Sequence, residues 1–301
     1  MAKKKITKKK IKTAYKVLSA IIVLVIAAVG YFFFKPEPEE PPEITEGELQ
    51  VHVIDVGQAD SILVLSEDEV MLVDTGDLDD DYTEKIINYI KSFGIDTIDY
   101  LVLTHPDSDH IGGAPEIFEE FIIKNCIMPD FAKTTKIYEN TLDAIEAEEG
   151  LNLIEAVPDY RFEVGEAKCR VLAPIEEYED ANDASVVIKL VFGERSVLLT
   201  GDAEKDSEAD MVKRYSASDL KADVLKSGHH GSRTSSSPAL LDKVDPDYAI
   251  ISCGEGNSYG HPHEETIERY AEYGIEVYRT DLVGTVVVKI KDNRITITKE
   301  K

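Results

Sequence analysis

The alternation of apolar and polar residues predicts a β-rich start to the folded part of the chain. Residues 49–56 alternate and are rich in β-branched side chains, which is typical of a strand. Residues 82–93 carry isoleucine and phenylalanine at helical spacing and stop before Gly94, so they predict an amphipathic helix. By the same criteria the first half contains strands at 49–56, 61–65, 70–74 and 98–103, and helices at 82–93 and 112–121.

The second half repeats this style. Strands are predicted at 184–191, 196–199, 223–226, 248–252, 277–279, 284–290 and 294–297, and helices at 205–215, 240–244 and 264–273. Each half therefore gives several strands followed by alternating helices and strands. Mixed sheets packed on each other, with helices outside, fit this order. The predicted fold class is therefore a mixed one, α/β (α+β).

An uncharged apolar run at residues 17–34 precedes the predicted domain. As a helix it would span about 27 Å, close to the roughly 30 Å hydrocarbon core of a bilayer. Eight lysines lie in the basic tail at 1–16, and lysine excess holds that side in the cytoplasm. The run thus predicts a single-pass anchor that places the rest of the chain outside the cell. A cleaved signal peptide is the alternative, and it would also export the domain.

Residues 35–48 are rich in proline and glutamate, a composition that favours an extended spacer over compact structure. The predicted domain therefore runs from 49 to 301. The net charge of the chain is -26, although residues 1–35 hold nine lysines and no acidic residue. Such an acidic body repels polyanions at long range, which argues against a nucleic-acid binder of the basic-groove type. A phosphodiester substrate stays possible, because a bound metal ion supplies its own positive charge.

The densest group of ligand-type side chains follows the strand predicted at 98–103. His105, Asp107, Asp109 and His110 fall within six residues and are followed by two glycines. A strand end delivers side chains to a crevice at the sheet edge. A tight loop there can turn His105 and Asp107 to one side and Asp109 and His110 to the other. This arrangement suits two adjacent cations.

Three further groups of polar residues lie beside predicted strands or helices. Asp202 ends the strand at 196–199, where a lone carboxylate can bridge two cations. His229 and His230 follow the strand at 223–226, and one of them can ligate a metal while the other contacts the substrate. The remaining candidates are the ligand His261, the supporting carboxylate Asp74, and the residues predicted to contact the substrate or the ligands, which are Ser232, Asn182 and His263.

Together these motifs resemble the metallo-β-lactamase superfamily. They appear in the order Asp-Thr-Gly at 74–76, His-Pro-Asp-Ser-Asp-His at 105–110, Thr-Gly-Asp at 200–202, His-His-Gly-Ser at 229–232 and Gly-His-Pro at 260–262. The sequence is most similar to the branch that forms the C-terminal domain of the competence DNA-uptake protein ComEC. The resemblance covers nearly all of residues 49–298 and implies an αββα four-layer sandwich with a dinuclear metal site at the sheet edges.

The resemblance also implies a distribution of the ligands between two divalent metal ions, Zn²⁺ or Mn²⁺. His105 and Asp107 would hold one metal, Asp109 and His110 the other. Asp202 would bridge them, and His261 would complete the second site. The superfamily commonly has a histidine at the position of Asp107 and a further one near Asn182, and this chain has neither. Oxygen in place of nitrogen shifts the preference of the first site towards Mn²⁺ or Mg²⁺.

The motifs predict a membrane-anchored, extracytoplasmic metal-dependent hydrolase. The first hypothesis is a phosphodiesterase or nuclease that uses a metal-activated water on DNA or another phosphodiester, with Asp109 orienting the water and His229 or His230 acting on the phosphoryl or leaving oxygen. A second keeps the metals but changes the substrate to a non-nucleic-acid ester, phosphoester or lactone at the cell surface. A third is a non-catalytic tethered binding module. The membrane is the one partner that the sequence predicts, and no obligate protein partner is evident from it.

Overall fold

The computed structural model describes residues 44–67 and 69–300, which form two β-sheets packed face to face. The first sheet begins with β1 (Glu48–Val53), β2 (Ile62–Ser66), β3 (Glu69–Val73), β4 (Thr97–Val102), β5 (Ile122–Met128) and β6 (Asn152–Glu155). The second sheet contains β7 (Arg161–Val164), β8 (Ala167–Ala173), β9 (Val187–Phe192), β10 (Arg195–Leu199), β11 (Val224–Lys226), β12 (Tyr248–Ile251) and β13 (Glu276–Arg279). The final hairpin, β14 (Val286–Lys291) and β15 (Arg294–Lys299), returns to the first sheet.

The order of the strands decides which of them end together. It is β15-β14-β1-β2-β3-β4-β5-β6 in the first sheet and β13-β12-β11-β10-β9-β8-β7 in the second. The neighbours β3 and β4 are parallel, and so are the neighbours β10, β11 and β12. Parallel neighbours bring their carboxyl ends to one edge, so polar residues that follow these strands are gathered there.

Helices cover the outer faces of both sheets. The helices are α1 (Asp80–Lys91), α2 (Ser108–Ile111), α3 (Ala114–Glu120), α4 (Lys136–Ala147), α5 (Lys205–Arg214), α6 (Ala217–Leu220), α7 (Pro238–Val244), α8 (Glu264–Glu272) and α9 (Thr280–Val283). Ile86 and Ile90 of α1 pack on the first sheet, and Leu241 and Tyr270 pack on the second. A third apolar cluster fills the space between the sheets. These layers confirm the predicted αββα sandwich.

Alternate residues of β1 lie on opposite faces of the first sheet, as the alternation of apolar and polar residues predicts. Leu49, Val51 and Val53 face the opposite sheet and are buried in the apolar cluster between the sheets. Burial of each such side chain contributes roughly 1.5–3 kcal/mol. Gln50 and His52 lie on the other face of the strand, where His52 packs edge-on against Phe93 beyond the end of α1.

Several predicted elements differ from those observed. The helix expected at 112–121 begins at Ala114, after the separate short helix α2. No element is predicted between residues 122 and 183, where the structure has β5, α4, β6, β7 and β8. The predicted anchor at 17–34 and basic tail at 1–16 lie outside the described residues. Within 44–67 and 69–300, no helix is long and apolar enough to cross a bilayer.

His52 gives the fold a predictable dependence on pH. Its Nδ1 lies 2.8 Å from the Tyr89 hydroxyl and its Nε2 3.0 Å from Gln50 Oε1, so both ring nitrogens are occupied in the neutral form. Burial, and then the positive charge of Lys289, lower the pKa of His52 to about 3 from an ordinary value of 6.5. Between these values the unfolded chain binds the proton and the folded chain does not, so stability falls as the pH falls.

We therefore expect acidification to destabilise the wild-type protein more than a His52→Gln variant. From about pH 7.5 to about pH 5, protonation of His52 in the unfolded chain should remove about 2 kcal/mol of unfolding free energy. Urea unfolding of both proteins at these two pH values measures the difference. Equal losses in wild type and variant would show that His52 is not the titrating group.

Candidate metal centre

The candidate site lies where the carboxyl ends of parallel strands from both sheets meet. Asp74 follows β3 and His105 follows β4 in the first sheet. In the second sheet, Asp202 follows β10, and a 3₁₀ turn after β11 carries the two adjacent histidines His229 and His230. His110 Nε2 of the first half lies 3.2 Å from Asp202 Oδ1 of the second, so the two halves share one site.

Four side chains form the centre of the site. One ligand-type atom from each lies within 4.8 Å of those from the other three; the residues are Asp109, His110, Asp202 and His230. His230 Nε2 is 3.3 Å from Asp109 Oδ2 and 3.6 Å from Asp202 Oδ2. Three of the four were predicted as ligands. For the fourth, His230, the sequence left open whether it or His229 ligates a metal while the other acts on the substrate, and its position makes His230 the candidate ligand.

His110 is oriented by Asp74 and by the loop beside it. His110 Nδ1 lies 2.7 Å from Asp74 Oδ2, which leaves Nε2 facing Asp202. Asp74 in turn accepts hydrogen bonds from the Thr104 backbone N–H and hydroxyl. Burial alone would lower the pKa of His110, but the carboxylates of Asp202 and Asp74 raise it well above its ordinary value. This arrangement is the one expected of a carboxylate that supports a ligating histidine.

Gly112 allows α2 to approach the preceding loop. Its N–H donates to the Gly76 carbonyl at 2.9 Å. A Cβ atom at Gly112 would lie 2.2 Å from backbone atoms of Asp77 and Leu78, closer than two non-bonded heavy atoms can come. Glycine at this position therefore lets the helix that carries Asp109 and His110 pack against the end of β3.

His105 lies beside the central four residues. Its ring centroid is 4.1 Å from that of His110, and its Nδ1 lies 3.1 Å from Thr104 Oγ1 and 3.3 Å from Ser185 Oγ. Burial, and then the charge of His110, lower the pKa of His105 to about 3. The imidazole is therefore neutral at physiological pH. Since two hydroxyls contact Nδ1, Nε2 is the nitrogen available to a metal ion.

A buried ion pair between Lys226 and Asp60 lies next to the Nδ1 side of His230. His230 Nδ1 donates to the Ser252 carbonyl at 3.0 Å and lies 3.4 Å from Asp60 Oδ1. Lys226 Nζ donates to Asp60 Oδ2 at 2.7 Å, and both side chains are only 1% exposed. Burial would raise the pKa of Asp60, but the charges of Lys226 and His230 lower it. The sequence analysis did not identify Asp60 or Lys226 as site residues, although a lysine in an apolar strand signals a buried charge.

His229 occupies the rim of the site rather than its centre. Its Nδ1 lies 2.7 Å from Glu204 Oε1, and its Nε2 is 3.6 Å from Asp202 Oδ2. Asn182 Nδ2 is 3.5 Å from the same Nδ1. Burial alone would lower the pKa of His229, but the hydrogen bond to Glu204 and the charge of Asp202 raise it. Glu204 was not predicted, and it fixes the direction of the ring.

Besides His105, two predicted ligands, Asp107 and His261, lie outside the central four residues. The Asp107 carboxylate forms an ion pair with Lys133. His261 Nδ1 is 3.3 Å from Gln58 Nε2, and the His261 ring lies 6.3 Å from the His230 ring, centroid to centroid. Burial, and then the charges of His229 and His230, lower the pKa of His261 to about 4. Their assignment as metal ligands stays a prediction.

The hydroxyl groups near the site mostly bond within the protein. Ser232 Oγ lies 2.7 Å from Thr234 Oγ1, whose hydroxyl donates to Glu204. Ser235 donates to the Ala203 carbonyl. His263 Nδ1 accepts the Arg233 backbone N–H at 3.0 Å, which places it at the start of α8. Contact of Ser232 and His263 with a substrate is therefore a prediction that these internal bonds do not test.

The buried atoms at the centre fit a divalent cation. Several buried nitrogen and oxygen atoms make no hydrogen bond to any described residue, and they include His105 Nε2, His110 Nε2, Asp202 Oδ1 and His230 Nε2. Unsatisfied buried polar atoms destabilise a fold by about 1–3 kcal/mol each. A bound cation would satisfy these atoms and remove that cost. Imidazole nitrogens with carboxylates match the ligands of Zn²⁺, and the carboxylates also suit Mn²⁺.

Comparison with known proteins agrees with the fold and the site. A family model described as the metallo-beta-lactamase superfamily matches residues 54–255. The crystal structure of the metallo-beta-lactamase fold protein YhfI from Bacillus subtilis superposes with a TM-score of 0.54 at 15% identity, covering 80% of this chain and 99% of YhfI. At that identity the likeness concerns the fold alone.

Two relatives are more similar in sequence. ComE operon protein 3 of Bacillus subtilis is 33% identical over 265 residues, which are 82% of this chain and 34% of the relative. Competence protein ComA of Neisseria gonorrhoeae is 33% identical over 263 residues, 87% of this chain and 34% of the relative. The chain thus spans about a third of the length of these relatives.

Proposed function

Because the chain belongs to the metallo-β-lactamase superfamily, we propose that it is a metal-dependent phosphodiesterase that cleaves DNA outside the cytoplasm, tethered by residues 17–34. The observation that carries the proposal is the group of buried histidine and carboxylate atoms without hydrogen-bond partners among the described residues. The resemblance of the motifs to a competence DNA-uptake protein favours DNA as the substrate, and one of the two relatives is named a competence protein.

The residues proposed to hold metal ions are the central four together with His105. Divalent cations, when bound, supply Lewis acidity that activates a water molecule and neutralises charge on a phosphoryl group. Asp202 is buried between His110 and His230, so its two oxygens suit the predicted bridging position. The proposed number of ions is two, because the ligands come from both sheets and surround Asp202 on several sides.

The remaining polar groups have proposed roles on the substrate. Asp109 is partly exposed, so one carboxylate oxygen can orient the attacking water while the other stays in the cluster. His229 is held by Glu204 through Nδ1, and its Nε2 lies 3.6 Å from Asp202 Oδ2 in a side chain that is 23% exposed. We propose that His229 donates a proton from Nε2 to the leaving oxygen. His230 is less suited to that task, because its side chain is only 1% exposed and a substrate would not reach it as easily.

A cleavage assay with the full-length protein tests the proposal. We expect a 5′-labelled single-stranded oligonucleotide to be cut with Mn²⁺ or Zn²⁺, and excess EDTA to stop the reaction because the proposed ligands would lose the ions. Gel analysis of products against time measures the rate. Intact oligonucleotide with every ion would contradict a nuclease. Protein that contains no metal and keeps its fold would favour the tethered binding module.

One surface favours a second candidate function. A groove of about 630 Å³ runs past the ends of β5, β6 and β8, and its lining includes Asp130, Glu155, Glu176 and Glu177. Phe131 lines this groove and also a small cavity with His105, so the groove adjoins the site. Carboxylates there would repel a long polyanion. They favour hydrolysis of a smaller ester, phosphoester or lactone, which parallel turnover assays on such substrates would detect.

A further inference from the structure

An exposed tyrosine stands at the outer end of a line of rings that starts in the metal centre. Tyr259 is 66% exposed, and its ring stacks on His261 with centroids 5.7 Å apart and an interplanar angle of 23°. The His261 ring is stacked in turn beside His230, at 6.3 Å and 29°. One face of Tyr259 is thus supported from within the protein, and much of the ring is open to solvent.

The loop that carries Tyr259 is held in place by one side chain. Asn257 Nδ2 donates to the carbonyls of Gly254 and His261, and Asn257 Oδ1 accepts the His261 N–H. Gly260, directly after Tyr259, has a φ of 74°, a left-handed conformation that glycine adopts without strain. The exposed ring is therefore positioned before any ligand arrives, which lowers the entropy lost on binding.

A cation without a carboxylate partner in the described part of the chain lies on the same rim. Arg233 follows the two histidines of the 3₁₀ turn, and its backbone N–H donates to His263 Nδ1. The His263 ring lies 4.7 Å from the His261 ring, which connects Arg233 to the base of the Tyr259 stack. The exposed Arg233 guanidinium makes no ion pair or hydrogen bond with any residue in 44–67 or 69–300. In a chain with a net charge of -26, such a cation is available for a phosphate.

We infer that Tyr259 and Arg233 form a subsite for the nucleotide next to the cleaved bond, with its base stacked on Tyr259 and its phosphate paired with Arg233. The inference rests on the proposed nuclease function and narrows its substrate to single-stranded DNA. Bases in a duplex already stack on their neighbours, whereas a single strand offers a free face to an aromatic ring. Stacking does not read base identity, so cleavage should be insensitive to sequence.

The test compares two single-stranded oligonucleotides that differ only in their bases. One carries bases throughout, and the other carries abasic sites around the cleaved position. For the full-length wild-type protein with Mn²⁺, we expect kcat/KM to be about tenfold higher on the base-bearing strand. Tyr259→Phe should keep this preference. Tyr259→Ala should abolish it by lowering kcat/KM on the base-bearing strand to the value on the abasic strand. An unchanged melting temperature of this variant separates a lost platform from a misfolded protein.

Two further variants complete the design. Arg233→Gln should lower kcat/KM on both strands and reduce the slope of log kcat/KM against log salt concentration by about one, since one phosphate contact is lost. Ile122→Ala is the matched control, because Ile122 is an exposed apolar residue at the start of β5, the end of that strand away from the site. This variant should change neither rate.

A base preference that persists in Tyr259→Ala would overturn the inference and leave the proposed nuclease function unaffected. Failure of the wild type to cut either strand would overturn the proposed nuclease function, and the inference with it.

Discussion

Replacing Asp202 by alanine should reduce metal-dependent cleavage by about a thousandfold or more and remove bound metal from the purified protein. The reason is geometric. Asp202 Oδ1 lies 3.2 Å from His110 Nε2, and Oδ2 lies 3.6 Å from both His229 Nε2 and His230 Nε2. Removal of this carboxylate leaves the histidines of the two halves without the group that joins them. Metal content by mass spectrometry and initial cleavage rates measure the two effects.

The matched control for this experiment is Asp206→Ala. Asp206 is an exposed carboxylate in the first turn of α5, four residues after Asp202. It should keep wild-type metal content and rate. The Asp202→Ala protein should also lose the rise in melting temperature that added Mn²⁺ or Zn²⁺ gives to the wild type. Wild-type metal content in Asp202→Ala would show that this carboxylate is not a ligand.

Replacing Lys226 by methionine should destabilise the fold by about 3–5 kcal/mol. Lys226 Nζ donates to Asp60 Oδ2 at 2.7 Å, and neither side chain reaches solvent. Without the lysine, the buried Asp60 carboxylate keeps only His230 as a charged neighbour. Desolvation of a charge that has lost its lysine partner is unfavourable. Guanidinium chloride unfolding of the full-length wild type and variant measures the loss.

A double variant separates the buried charge from the lost packing. Lys226→Met combined with Asp60→Asn removes both charges, so its loss should be smaller than the sum of the single losses by about 2 kcal/mol. Lys221→Met is the control, because Lys221 pairs with Asp245 at 2.7 Å in an exposed position. It should change stability by less than about 1 kcal/mol. Similar losses in Lys221→Met and Lys226→Met would refute a special role for the buried pair.

Local sequence patterns were sufficient where the structural cause is local. The alternation in β1 depends on residues two apart, and the amphipathic spacing in α1 depends on residues three and four apart. Between 122 and 183 the apolar patterns are short. There β6 and β7 show mostly exposed or alternating side chains over four residues each, and their pairing with β5 and β8, respectively, defines them. Such edge elements have weak intrinsic signals, because a neighbouring strand supplies much of their stability.

The sequence by itself determined that several metal-ligating groups reach one edge of the fold. Asp74, His105 and Asp202 each follow directly after an apolar strand, and parallel strands necessarily bring their carboxyl ends to one edge. A ligand-rich edge was therefore readable from order and spacing alone. The family resemblance rested on the same short motifs, which the match over residues 54–255 supports.

Only the tertiary structure decided how each of these groups is used. Lys226 and Asp60 are 166 residues apart in sequence, and Lys133 and Asp107 are 26 apart, so no local pattern could pair them. His230 faces the centre because its left-handed backbone, with φ of 51°, and its bond to Ser252 turn Nε2 inward. The direction of a side chain depends on its backbone conformation and on partners brought near by folding. The spacing of residues along the chain gives neither the backbone conformation nor these partners.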